Sequence, residues 1–128
     1  MTLTPSIVLK SGSLVFGISA LALIALPSLF LDLLGFPTSA DLEWAMRMIG
    51  ITVAALAGNM WNVATTASPD VVRRSARVMQ VSAFALGVMT LLTPNALTWF
   101  VILYAVIGFG FSIAYTFALS RKPARNPA

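Results

Sequence analysis

Cysteine and histidine are both absent from the 128 residues. Without cysteine the chain has no thiol redox centre, no thiolate-held iron–sulfur cluster and no thiolate zinc site. Without histidine, imidazole acid–base catalysis, His-ligated haem and the commonest transition-metal sites drop out as well. No cofactor and no metal is expected. Charge is scarce too: Asp, Glu, Lys and Arg make up 9% of the chain, against roughly 25% in a soluble domain. A small domain exposes a large share of its atoms, and so few charges cannot make that surface wet. A soluble globular domain, a disordered tail and a disulfide-stapled secreted module are thereby set aside.

What the chain does have is hydrocarbon: 59% of its residues are hydrophobic and the mean hydropathy is +0.91. The charges sit in clusters, and three stretches carry none: 11–31, 48–69 and 78–120. The third is about twice the ~20 residues that one membrane crossing needs, and the turn residues Thr93-Pro94-Asn95 fall inside it. Four spans are predicted, about 7–33, 42–67, 71–93 and 96–120, followed by a short basic tail at 121–128. The expected fold is all-α: one integral membrane domain over 1–128, built as a four-helix transmembrane bundle. The first span is read as a retained helix, because its apolar run exceeds the 7–15 residues of a signal-peptide core.

Lys10, Arg73, Arg74, Arg77, Arg121, Lys122 and Arg125 fall on one side of this four-span arrangement, and only Arg47 falls on the other. Positive residues mark the cytoplasmic side, so both termini are expected there, in the cell's inner membrane. The pI near 10.4 is then a topology signal that anionic head groups reinforce. A nucleic-acid partner is not expected, since the basic residues are few and lack interleaved aromatics.

Local signals agree. Thr4-Pro5, Ser68-Pro69 and Thr93-Pro94 each set a hydroxyl before a proline, the pattern of an N-cap followed by the first helical position. Thr38 and Asp41 offer a capping box for the second helix; Gly35-Phe36-Pro37 ends the first, and Pro27 kinks it earlier. Residues 4–11 also align with 68–75, and 19–23 with 82–86, which raises a two-hairpin parallel repeat of the kind some transporters use. Chance similarity between apolar helices stands beside that reading. Gly108-Phe109-Gly110 lies inside a span with no strand before it and is not a dinucleotide loop. Trp44 and Trp99 sit near span ends, where interfacial aromatics belong.

Projected at 100° per residue, the second helix gathers Arg47, Gly50, Ile51, Ala54, Gly58, Trp61, Asn62 and Thr65 on one face, with Gly50, Ala54 and Gly58 as a ridge for close helix contact. Gln80, Ala83, Phe84 and Gly87 share a face of the third helix, and Tyr104, Gly108, Phe111 and Tyr115 a face of the fourth. Arg47, Trp61, Asn62, Gln80, Tyr104 and Tyr115 are therefore the candidate ligand-binding residues. Good packing, with Asn and Gln as interhelical glue, is the plainer account. At the extracytoplasmic end, Asp32, Asp41 and Glu43 surround Arg47, and Glu43 precedes Arg47 by a helical ion-pair spacing. Two readings are open there. One is an Arg47 clamp on Asp32 or Glu43; the other is a reactive mouth in which Arg47 faces a carbonyl or anion and a carboxylate moves protons.

Leu34-Gly35-Phe36-Pro37, the Pro-interrupted first helix and Arg47-Met48-Ile49-Gly50 opening the second resemble the DoxX-like group of small four-helix bacterial membrane proteins. That resemblance implies a bundle in the cytoplasmic membrane and a link to quinone-coupled oxidation, with Arg47, Gly50 and the Gly35–Pro37 turn carried over. Two functions follow. The first is binding of a lipophilic small molecule (lipid, quinone or terpenoid-like), or service as an accessory membrane subunit beside a membrane or soluble partner or in a homodimer. It needs only an apolar pocket with a few polar groups. The second is a cofactor-independent membrane enzyme, an isomerase, cyclase or oxygenase, using Asp32 or Glu43 as acid or base with Arg47 and Tyr104 polarising the substrate. An ion-coupled transporter wants a carboxylate deep in a span, and Asp and Glu occur only outside the long apolar runs.

Overall fold

A computed structural model describes residues 3–121, so Lys122, Arg125 and most of the basic tail lie outside the described residues. Among the described residues the chain is all-helical, with five helices and no strand: α1 (Pro5–Ala25), α2 (Pro27–Leu34), α3 (Ala40–Thr66), α4 (Pro69–Leu91) and α5 (Trp99–Ser120). Three of them, α1, α3 and α5, are long and apolar enough to cross a membrane. The remaining long helix, α4, falls short of that measure because Asp70, Arg73, Arg74 and Arg77 crowd its first turns.

Caps explain several helix ends. The Thr4 hydroxyl accepts from the Ile7 N–H and Pro5 opens α1, as the sequence implies. Pro27 does more than kink the predicted first span. Lacking an N–H and clashing with the preceding turn, it divides that span at Leu26 into α1 and α2. Gly35 ends α2 at φ 80°, a left-handed conformation that glycine adopts without steric cost. Two boundaries differ from expectation. Ser39, not Thr38, caps α3, its hydroxyl accepting from the Leu42 N–H at 3.2 Å. Thr93-Pro94 does not open the last helix: α5 starts at Trp99, where Thr98 accepts from the Val101 N–H and donates to the Leu33 carbonyl at 2.7 Å. That second bond ties the start of α5 to the end of α2, an advantage a cap at Thr93 lacks.

α1 lies along α3 and α4 lies along α5; contacts between the two pairs are sparser. Both pairs run antiparallel. Ser6 donates to the Ala64 carbonyl at 2.8 Å and Ser13 to the Ala57 carbonyl at 2.6 Å. A Cβ on Gly50 would lie 2.9 Å from Leu23 Cβ. In the other pair Gln80 donates to Thr116 at 2.6 Å, Ser112 donates to the Gln80 carbonyl, and a Cβ on Gly108 would lie 3.0 Å from the Ala83 carbonyl. Small residues and interhelical hydrogen bonds thus hold both pairs, each such bond contributing about 0.6 kcal/mol in a bilayer.

The α3 face that meets α1 is not the ridge expected from sequence. Gly50 is on it, followed by Ala57 and Met60, whereas Ala54 is exposed and a Cβ on Gly58 would touch nothing within 4 Å. Likewise Phe84, placed on the inner face of α4, is 55% exposed. The exterior is apolar: Ile18, Leu21, Val81, Met89, Val106 and Phe117 are each at least 62% exposed. An apolar exterior of this extent belongs against lipid or another apolar surface.

Packing is uneven along the long axis. Val8, Leu9, Met60, Val72, Ala76, Met79, Tyr115 and Ala118 form a buried cluster where α1 and α4 begin and α3 and α5 end. Beyond that cluster the two pairs separate around a cavity.

Candidate functional site

The cavity has a volume of about 320 Å³, within the range of small-molecule sites. All five helices contribute to its wall. Met79 and Tyr115 belong both to the wall and to the buried cluster, so that cluster is the cavity floor. Gly12, Ser19 and Leu23 carry the wall up α1, and Phe30 and Leu34 continue it along α2. On α5, Tyr104 and Tyr115 share a face three turns apart, which gives the cavity a length of about 16 Å. Ile49 of α3 and Leu86 of α4 line it and are 47% and 49% exposed. The cavity therefore reaches the outer surface beside these two side chains, between α3 and α4, which make few contacts with each other.

The wall is almost wholly apolar, and none of its side chains is charged. Its polar groups are four hydroxyls, those of Ser19, Thr90, Tyr104 and Tyr115. Ser19 Oγ and Tyr104 OH share a hydrogen bond of 2.7 Å. The Tyr104 ring is further held by Phe30, whose centroid is 5.6 Å away and nearly perpendicular, and by Phe100 at 4.9 Å. α1, α2 and α5 together thus fix one hydroxyl pair. Thr90 donates to the Leu86 carbonyl at 2.6 Å. Tyr115 is 1% exposed, and its hydroxyl has no hydrogen-bond partner among the described residues. A Cβ on Gly12 would stand 3.3 Å from that hydroxyl and 2.9 Å from Met60 Cε, so the Met60 side chain would have to shift to admit it.

Of the six candidate ligand-binding residues, the structure brings Tyr104 and Tyr115 into the cavity. The other four lie elsewhere. Trp61 is 45% exposed, with Lys10 Nζ 5.8 Å from its ring centroid in a cation–π contact. Asn62 is exposed and bonds within its own helix to Thr65 and Thr66. Gln80 spends its amide on joining α4 to α5. Arg47 is exposed, and its Nε donates to the Ile24 carbonyl at 3.4 Å. The guanidinium thus takes a backbone acceptor, where the two readings from sequence gave it a carboxylate partner or a ligand. That carbonyl sits in the last turn of α1, beside the break at Pro27 that deprives the turn of a donor. Asp32 is exposed at the end of α2 and Glu43 is half-buried in the first turn of α3. The cavity wall includes neither carboxylate nor Arg47.

Sequence reasoning did not single out Ser19 or Phe30 as site residues. A signal for Ser19 exists: Gly12, Ser19 and Leu23 recur at helical spacing on α1, and Ser19 is the polar member of that stripe. One basic residue of α4 also acquires a specific role. Arg73 donates to the Leu119 carbonyl at 2.7 Å and to the Arg121 carbonyl at 3.1 Å, capping the end of α5. Arg74 and Arg77 remain exposed beside it.

No protein-family model, curated protein or solved structure matches this chain.

Proposed function

We propose that the chain is an integral membrane protein that crosses the bilayer four times, as a four-helix bundle with α1 and α2 sharing one crossing, and that it binds an uncharged lipophilic small molecule in its cavity. The observation that carries the ligand reading is the cavity itself. It is apolar, floored by packed side chains, walled by every helix and furnished with hydroxyls at fixed positions, the composition expected of a small-molecule site.

The four-crossing reading draws support from charge. Lys10, Arg73, Arg74, Arg77 and Arg121 gather at the floor end, and the positive-inside rule makes that end cytoplasmic. Arginines in the first turns of α4 can snorkel to head groups while Val78–Leu91 continues inward. The opening between α3 and α4 then faces the hydrocarbon, so a lipid-soluble molecule reaches the cavity from within the bilayer. The enzyme reading through Asp32, Glu43 and Arg47 gains no support, because none of those side chains lines the cavity.

The test is native mass spectrometry of the protein extracted with its surrounding membrane lipid. A bound neutral molecule should be retained by the wild type and lost on Ser19→Phe, which fills the cavity beside Tyr104. Ligand-free spectra from the wild type in several gentle extractions would overturn the reading. Reporter fusions at the two ends test the topology, and both should report the cytoplasmic side.

A further inference from the structure

A hydroxyl brings one hydrogen to donate and two lone pairs to accept with. Of the four hydroxyls on the cavity wall, Thr90 gives its hydrogen to the Leu86 carbonyl. Ser19 and Tyr104 share one bond of 2.7 Å, which uses one of their two hydrogens whichever of them donates. The second hydrogen of the pair is left over, at a point where the wall is otherwise hydrocarbon. Tyr115 brings another hydrogen without a partner at the floor. The wall contains no Asp, Glu, Asn or Gln to accept these hydrogens, and no Lys or Arg to balance a ligand's charge. It is therefore a surface with donors to spare. A buried donor without an acceptor is costly, and a buried unpaired charge is costlier still.

We propose that the cavity selects an uncharged, lipid-soluble molecule bearing a carbonyl oxygen, which accepts the spare hydrogen of the Ser19–Tyr104 pair while its hydrocarbon part fills the rest of the space. This specifies, and rests on, the ligand-binding reading above. A carbonyl is the fitting complement because it accepts without bringing a hydrogen of its own. Its placement is set by Phe30 and Phe100, which hold the Tyr104 ring. A carboxylate or phosphate enters the same space without a counter-charge and is excluded by desolvation.

The full-length protein in lipid nanodiscs is titrated with three probes of equal chain length: a methyl ketone, the plain alkane and the fatty-acid anion. The ketone should bind about five- to tenfold more tightly than the alkane, the worth of one buried hydrogen bond, and the anion least. Infrared difference spectra should show the ketone's carbonyl stretch lowered by hydrogen bonding. The double variant Ser19→Ala, Tyr104→Phe should abolish the preference for ketone over alkane and remove the spectral shift. Equal binding of ketone and alkane by the wild type, or tighter binding of the anion, overturns the carbonyl assignment while leaving a lipophilic site standing. Failure of all three probes overturns the ligand-binding reading itself.

Discussion

Tyr115→Phe should stabilise the protein, although it removes a polar atom from one of its most buried side chains. The ring keeps its place, since Phe111 and the floor residues pack against carbon, with the Phe111 and Tyr115 centroids 6.3 Å apart. Only the hydroxyl goes, and that hydroxyl is enclosed and without a partner among the described residues. Burying an unsatisfied hydroxyl costs about 1–3 kcal/mol. Removing it from ligand-depleted protein should return about 1 kcal/mol or more, a rise in Tm of roughly 3–5 °C for a chain of this size. Tyr104→Phe supplies the internal contrast. It breaks a 2.7 Å bond and leaves Ser19 unpaired, so it should cost about 0.5–1.5 kcal/mol. Two identical substitutions on one face of one helix thus move stability in opposite directions. Thermal unfolding in detergent, followed by tryptophan fluorescence after exhaustive removal of bound lipid, makes the comparison. A destabilised Tyr115→Phe protein would show that its hydroxyl is paired, and the donor surplus at the floor would disappear.

Gly108→Ala drives a methyl into the Ala83 carbonyl and the Gly87 backbone, neither of which can swing aside. It should cost about 1–3 kcal/mol, while Gly58→Ala on the open face meets nothing and should be neutral or stabilise by up to about 1 kcal/mol; detergent-titrated unfolding of both variants checks this. Leu86→Trp narrows the opening between α3 and α4, so it should slow association and dissociation of the ketone probe several-fold with little change in affinity, as stopped-flow exchange would show. Arg47→Gln removes a guanidinium that serves a backbone carbonyl outside the cavity. Probe affinity should stay within about twofold and stability within ~1 kcal/mol, and a tenfold loss of affinity would restore Arg47 to the site.

Helix ends were largely legible in the sequence because capping is local chemistry. Thr4-Pro5, Ser68-Pro69 and Gly35 act within a few residues of where they stand, and the structure places each at a helix boundary, although the Ser68 hydroxyl makes no capping bond and Pro69 alone marks that start. Thr93-Pro94 misled because a competing cap at Thr98 also gains the Leu33 carbonyl, an acceptor far away in sequence. Helix faces were harder. In an apolar helix, hydrophobicity does not separate the inner side from the outer, since lipid is as apolar as leucine. Small size pointed to Gly58 and polarity to Asn62, yet α3 turns Ala57 and Met60 inward instead. On α5 the stripe of Tyr104, Gly108, Phe111 and Tyr115 was legible, because both tyrosines of the chain stand on it. The hydroxyl pair was not, since Ser19 and Tyr104 meet only after α1 and α5 have folded together.

The packed floor has a consequence for traffic. With Met79 and Tyr115 wedged among Val8, Leu9 and Met60, the chamber is closed at that end, and on the four-crossing reading proposed above its opening faces the bilayer. Such a vessel exchanges its contents and does not conduct them. On that reading a ligand would depart on the side it came from, so occupancy would answer to the concentration in the surrounding membrane rather than to a gradient across it.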